Sequence, residues 1–284
     1  MSIDIDYLKT WVGREQRVSE VLSAFPARAL AAMLDHVRLP ECGESLPPAW
    51  HWLYFLETPS ATATGHDGHP LKGGFLPPVP LPRRMWAAGS FDLIRPLRLG
   101  LLAERVSMIG SVELKHGSTG TLVFVKLEHE LRQEGSLCLR EEQILVYREM
   151  PVTAVPLPRG DPAPAVPERV RSVAVNPVFL FRFSALTYNA HRIHYDRDYA
   201  TRTEFYPGLV VHAPLLAILV LDLAVQMRPG IPITQFRFRA IRPTIELGPI
   251  QLGGKCEGSE MTLWSSDHEN VVGLRATAVL GDPS

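Results

Sequence analysis

The stretch PLLAILVLDLAV, residues 214–225, decides the fold. Proline fixes φ and lacks an N–H, so Pro214 belongs in the first turn of a helix. Leu215, Leu216, Ile218, Leu219, Val220, Leu221, Leu223, Ala224 and Val225 then surround that helix with apolar side chains. A helix apolar on every side is either buried on every side or lies in a bilayer. The apolar run over 207–221 is interrupted by His212 and ended by Asp222. It is shorter than the roughly 20 residues a membrane span needs. A curved antiparallel sheet wrapped around the helix is the simplest cover.

The flanking segments supply such a sheet. The segments 235–242, 251–257, 261–265 and 271–280 read as strands, and 173–183 reads as another. Upstream lies PVTAVPLPRGDPAPAVP, residues 151–167, whose six prolines stop both helix and central strand. It marks a linker over 151–170 between an N-terminal unit, 1–150, and a C-terminal unit, 171–284. In the first unit, Pro26 and the spacing of Leu30, Met33, Leu34 and Val37 predict a helix ended by Pro40. A second short helix is expected over 50–56, and a Gly/Pro-rich loop over 58–84. Strands are expected at 90–94, 103–109, 112–115, 121–131 and 136–147, with turns at 117–120 and 134–136. One central helix in a sheet of about five strands is the hot-dog fold. The expected class is α+β: a double hot-dog, two antiparallel sheets each wrapping a central helix.

Composition narrows the function. The 29 basic and 30 acidic side chains nearly cancel, which argues against nucleic acid as a partner. Cys42, Cys138 and Cys256 are too scattered for a disulfide framework or a metal knuckle. Free thiols, and a start without a cationic or apolar leader, point to the cytoplasm.

The densest chemistry precedes the central helix, in RFSALTYNAHRIHYDRDYATRTEFYPGLVVHAPL, residues 182–215. Asn189-Ala-His191-Arg-Ile-His194 resembles the D-x-N-P-x-H motif of MaoC-like hot-dog enoyl-CoA hydratases. Asp198, Tyr199 and Ala200 match the residues that follow that motif. Gly208-Leu-Val-Val-His212-Ala213 is similar to the family's glycine–histidine approach to the helix, and Phe236-Arg-Phe-Arg239 with Arg242-Pro243 to its second-strand signature. The chain most resembles the two-domain subgroup of 3-hydroxyacyl-thioester dehydratases, mesaconyl-C4-CoA hydratase and itaconyl-CoA hydratase, over nearly its whole length.

The resemblance implies a hydro-lyase acting on an acyl-CoA thioester, with no metal and no redox cofactor. Chemistry leads the same way. Hydrating an enoyl thioester needs a base for water and a donor for the enolate oxygen. An imidazole with a pKa of about 6.5 suits the first role, and His194 is assigned it. Asn189 stands where the family carries Asp; an amide only donates and accepts hydrogen bonds, so it is expected to orient the water. Helix N-termini offer free N–H groups, and with Pro214 unable to donate, that role falls to Ala213 or His212. The resemblance also places it at Ala213. Arg83, Arg84 and Arg192 are candidates for the CoA phosphates, and Tyr195 and His212 for contact with substrate. His191 is expected to make a structural hydrogen bond; His66 and His69 are given no chemistry. The expected substrate is a short branched dicarboxylic enoyl-CoA, mesaconyl-C4-CoA or itaconyl-CoA giving citramalyl-CoA. A 3-hydroxyacyl-thioester dehydratase of broader chain length, a hot-dog thioesterase and a non-catalytic acyl-thioester binder remain open. Hot-dog units commonly pair, so the two halves are expected to form a pseudo-dimer, and a homo-oligomer (dimer) of whole chains stays open.

Overall fold

The computed structural model describes residues 3–117, 120–154 and 156–282. In the N-terminal half, α1 (Ile5–Lys9), β1 (Glu15–Val21) and α2 (Ala24–Met33) precede four strands. These are β2 (Arg83–Leu93), β3 (Leu102–Gly117), β4 (Gly120–Gln133) and β5 (Ser136–Arg148). The C-terminal half contains β6 (Arg169–Val173), α3 (Pro177–Leu186), α4 (Arg197–Arg202), α5 (Ala213–Met227), β7 (Ile233–Ala240), β8 (Ile250–Glu257), β9 (Glu260–Ser266) and β10 (Val272–Leu280). Each half thus contributes five strands. Their pairings are antiparallel, and the two sets join into one ten-stranded sheet in the order β1-β3-β4-β5-β2-β7-β10-β9-β8-β6.

The seam between the halves is the β2–β7 pair, in which Ala88 faces Arg239 and Gly89 faces Phe238. Gly89 is required there. A Cβ at that position would come within 2.6 Å of the Phe238 ring, which lies across the seam against Trp52 and Trp86. The β4–β5 hairpin turns on Glu134 and Gly135, both at positive φ, as a two-residue turn of the I′ kind requires. Of the turn expected at 117–120, residues 118 and 119 lie outside the described residues, while Gly117 pairs with Gly120.

Helix α5 carries the packing argument. Ten of its fifteen residues are buried, and it lies on β7 to β10 and on β2. Each large aliphatic side chain so buried contributes about 1.5–3 kcal/mol. Two departures from an all-apolar rod appear. Val225 is partly exposed, and Asp222, though its side chain is buried, is held by Arg171 Nη1 at 2.6 Å and His36 Nε2 at 3.1 Å. No helix among the described residues is long and apolar enough to cross a membrane.

Five expectations need correction. The strands expected at 103–109 and 112–115 are one, β3, with a register shift between Ile109 and Ser111. Residues 173–183 are not one strand: β6 ends at Val173, and Asn176-Pro177 opens α3, with the Asn176 side chain accepting from Phe179 N–H at 2.9 Å. The apolar aromatic run has the composition of a strand, but a capping Asn followed by Pro at the first helical position starts a helix. Helix α2 stops at Met33, a turn before the expected end; Asp35 takes φ +57 and Val37 is fully exposed. Strand β2 starts at Arg83, inside the segment expected to be loop, and β1 lacks the apolar alternation that would reveal it. The expected second helix is a single 3-10 turn, Trp50–Leu53, which together with α3 packs against α2.

Candidate active site

The polar segment between α3 and α5 folds into short pieces that bring its histidines together. Tyr188, at φ +49, turns the chain out of α3. The Asn189 N–H donates to Ser184 O at 2.8 Å, and its Oδ1 accepts the His191 backbone N–H at 3.0 Å. A 3-10 turn, Arg192–His194, follows; then Asp196 caps α4 by accepting from Tyr199 N–H at 3.0 Å.

His194 is buried, and its Nδ1–H donates to Val210 O at 2.7 Å. That bond fixes the tautomer and leaves the Nε2 lone pair without a protein partner among the described residues. The His194 ring stacks on that of His212, centroids 3.6 Å apart and planes 19° apart. His212 caps α5 through its backbone, and its Nε2 shares a hydrogen with Ser184 Oγ at 2.8 Å. Burial, then the neighbouring His212 and His191 rings, push the His194 imidazole well below its ordinary value, against the opposing Val210 carbonyl. Burial and His191 push His212 down to about 3. His194 and His212 therefore stay neutral at physiological pH.

A cavity of about 950 Å³ opens beside these groups. His194, Asn189, His212, Ala213, Arg84 and Tyr195 all line it. Ala213 is the first residue of α5, and its N–H has no acceptor among the described residues. The first-turn amides of a helix carry a partial positive charge and take up anionic oxygen.

Two expected phosphate partners are engaged elsewhere. Arg83 does not line the cavity: it is buried, with Nε on Glu204 Oε2 at 2.8 Å and Nη2 on the Tyr206 hydroxyl. Arg192 binds Asp196 Oδ2 through Nε (2.9 Å) and Nη2 (2.7 Å), donates to His66 O, and lies over the Tyr199 ring. Arg84 faces the cavity and forms no ion pair among the described residues. Tyr195 is partly exposed and donates to Ala190 O at 3.0 Å.

The structure also adds residues that the sequence did not single out. The N-terminal loop docks on the histidine-bearing segment, where Arg192 N–H donates to Asp67 O at 2.9 Å. His69 packs on His191, centroids 4.1 Å apart, and its Nδ1 bonds Asp67 Oδ2 at 2.9 Å. Burial, then the Arg84 charge, push His69 down to about 3. Burial would raise Asp67, but the His69 hydrogen bonds outweigh it and hold the carboxyl low. Asp67, His69 and His191 bring potential ligand atoms within 4.8 Å of one another. Within the trio Asp67 accepts from His69, and the two rings are tilted by 38°. The sequence signal was two histidines and an aspartate inside a Gly/Pro-rich loop, since long loops in compact domains are often functional.

Gly68 holds this docking. It sits at φ +91, and a Cβ there would come within 1.7 Å of Ala190 O. Gly68→Ala must therefore push the loop off the segment that carries His191 and His194. A misplacement of about 1 Å can cost up to about 10²-fold in rate, and the expected loss in kcat/KM is on the order of tenfold or more. Steady-state kinetics on a variant with a native circular dichroism spectrum would check it.

The double hot-dog, with a buried histidine beside the leading turn of its central helix, puts the chain in the hydratase/dehydratase class of hot-dog enzymes. Residues 49–246 match the model of hydroxyacyl-thioester dehydratase type 2, and the chain belongs to that family. It is 42% identical over 273 residues to the mesaconyl-C(4)-CoA hydratase of Chloroflexus aurantiacus, covering 95% of this chain and 97% of that one. It is 26% identical over 245 residues to the mitochondrial hydroxyacyl-thioester dehydratase type 2 of Schizosaccharomyces pombe, covering 78% of this chain and 80% of that one. Among solved structures, a MaoC-like dehydratase superposes with a TM-score of 0.71 at 15% identity, over 96% of this chain and 99% of that one. HtdX of Mycobacterium tuberculosis gives 0.65 at 16%, over 93% and 99%. These last two likenesses concern the fold.

Proposed function

We propose that the protein reversibly hydrates a short branched dicarboxylic enoyl-CoA in the cytoplasm, with mesaconyl-C4-CoA going to citramalyl-CoA as the favoured reaction. The 42% identical relative carries that name. The observation that carries the chemistry is the cavity-facing His194, neutral and with its Nε2 lone pair unused, beside the unpaired Ala213 amide.

In this reading water enters between His194 and the β-carbon. His194 Nε2 takes a water proton as the oxygen bonds to that carbon. The C=C electron pair moves onto the thioester oxygen, and the Ala213 N–H with the positive end of α5 receives that charge. The α-carbon then takes a proton, so one water is added in all. Asn189, its Oδ1 engaged by the backbone, offers its amide hydrogens to the water. Arg84 and Tyr195 lie along the wall available to CoA. Itaconyl-CoA is the less direct substrate, because its double bond is not conjugated with the thioester.

A panel of enoyl-CoA esters followed by ultraviolet absorbance tests this, with free thiol measured in parallel. Loss of enoyl absorbance without thiol is the expected result, fastest with mesaconyl-C4-CoA. Thiol release would replace the reading with a thioesterase. The matched family model and the yeast relative favour one second reading, a 3-hydroxyacyl-thioester dehydratase of broader chain length; faster turnover of longer monocarboxylic esters would select it.

The pH profile follows from the same geometry. His194 lies well below its ordinary value, so it is protonated only in acid. As pH falls through neutrality the base stays in its active form, and the acid limb of hydration kcat/KM should lie below the ordinary histidine value of about 6.5. A limb at or above that value would count against His194 as the base.

A further inference from the structure

Hydration by His194 and Ala213 leaves the source of the α-carbon proton unassigned, and it gives no role to Glu204, a buried carboxylate bonded to a cavity-lining histidine. We propose that this histidine, His191, is a second catalytic residue, the acid that protonates the α-carbon, and that Glu204 is its positioning residue. The inference rests on the hydratase reading and deepens it.

The argument is geometric. His191 is buried yet lines the cavity, with its ring edge-on to His194 at a centroid distance of 5.4 Å. Its Nε2 lies 3.3 Å from Glu204 Oε1. Glu204 is itself buried, and its other oxygen accepts from Arg83 Nε at 2.8 Å. An ionised carboxylate only accepts, so Nε2 carries a hydrogen. The other ring nitrogen, Nδ1, has no protein partner among the described residues. A neutral His191 carries a lone pair there, and a protonated one carries a hydrogen that the proposal directs to the α-carbon. The charged and titratable groups around the ring are Glu204, with Arg83 beyond it, His69, with Asp67 bonded to it, His194 and His212. Asn189 cannot serve, because an amide carries no transferable proton.

The step balances. His194 takes one proton from water as the C–O bond forms. The enolate electron pair then forms the α-C–H bond with the Nδ1 proton of His191. His194 ends protonated and His191 neutral, and exchange through cavity water restores both for the next turnover. The reverse direction uses the same groups in opposite roles. Hydration therefore needs His194 neutral and His191 charged, which puts an alkaline limb on the rate in addition to the acid one.

The test is kcat, KM and the full pH profile of wild type, His191→Asn and Glu204→Gln with the best ester of the panel. His191→Asn should lower kcat by about 10²-fold or more, change KM little and abolish the alkaline limb. Glu204→Gln should lower kcat and change KM little, because Nε2 loses the carboxylate that orients the ring. A folded His191→Asn variant that keeps the wild-type rate and alkaline limb overturns the assignment. So does one that loses stability alone, with the limb unmoved, since that is the mark of a structural histidine. If Glu204→Gln fails to fold, His191→Asn still decides. Absence of wild-type turnover on the whole panel sinks the functional reading and this inference together; wild-type turnover with an unchanged His191→Asn sinks the inference alone.

Discussion

His194→Ala should lose about 10²–10⁴-fold in kcat while binding the same thioester with nearly unchanged KM, the range expected for removing a general base. The expectation follows from how the ring is held. Its Nδ1–H is committed to Val210 O, and its flat face to His212, so only Nε2 is left for chemistry. The substitution also removes a buried ring and leaves a void, so stability must be measured alongside. Thermal unfolding and circular dichroism would show whether the variant is native. His194→Gln, which fills more of the space, gives a second reading of the same loss. A native variant that retains more than about a tenth of wild-type turnover would end the assignment of His194 as the base.

Ala213→Pro should lower kcat by about 10²–10³-fold if, as proposed, the thioester oxygen takes up its charge there, because it deletes that one backbone donor. The site is suited to this substitution. Ala213 is the first helical residue, so its N–H closes no intrahelical bond. His212 already sits at φ −62 and ψ +129, the extended backbone that a following proline demands. Ala213→Gly keeps the N–H and serves as the control, with kcat expected within a few-fold of wild type. If both variants fall equally, altered packing at the start of α5 is the cause, not the missing donor. Turnover of Ala213→Pro close to wild type would move the oxyanion site elsewhere.

The central helix is legible in the sequence because nothing except burial explains nine apolar side chains around one rod, and α5 takes the expected place. Strands β7 to β10 are legible for a related reason, since alternation such as Phe236-Arg-Phe-Arg239 has one wet and one dry face. Helix α3 misleads because Val178, Phe179, Leu180 and Phe181 have strand-like composition, while the deciding signal is a two-residue cap. In the site, the motif on one continuous segment puts His194, Asn189 and Ala213 on a common cavity wall. What stays hidden are partners distant in sequence. Arg83 looks free, yet it meets Glu204, 121 residues away. His69 looks idle, yet its ring packs against that of His191, centroids 4.1 Å apart. No local pattern encodes such pairings; they exist only once the sheet has brought the two halves together.

The seam between β2 and β7 also constrains the order of assembly. Ala88 and Arg239 are neighbours in the sheet but far apart along the chain. At about 5–20 residues per second, a ribosome needs roughly eight to thirty seconds to make the polypeptide between them. For that interval β2 presents an unpaired backbone edge that any passing strand can template. The nascent N-terminal half thus exposes a strand edge that the finished sheet covers with β7.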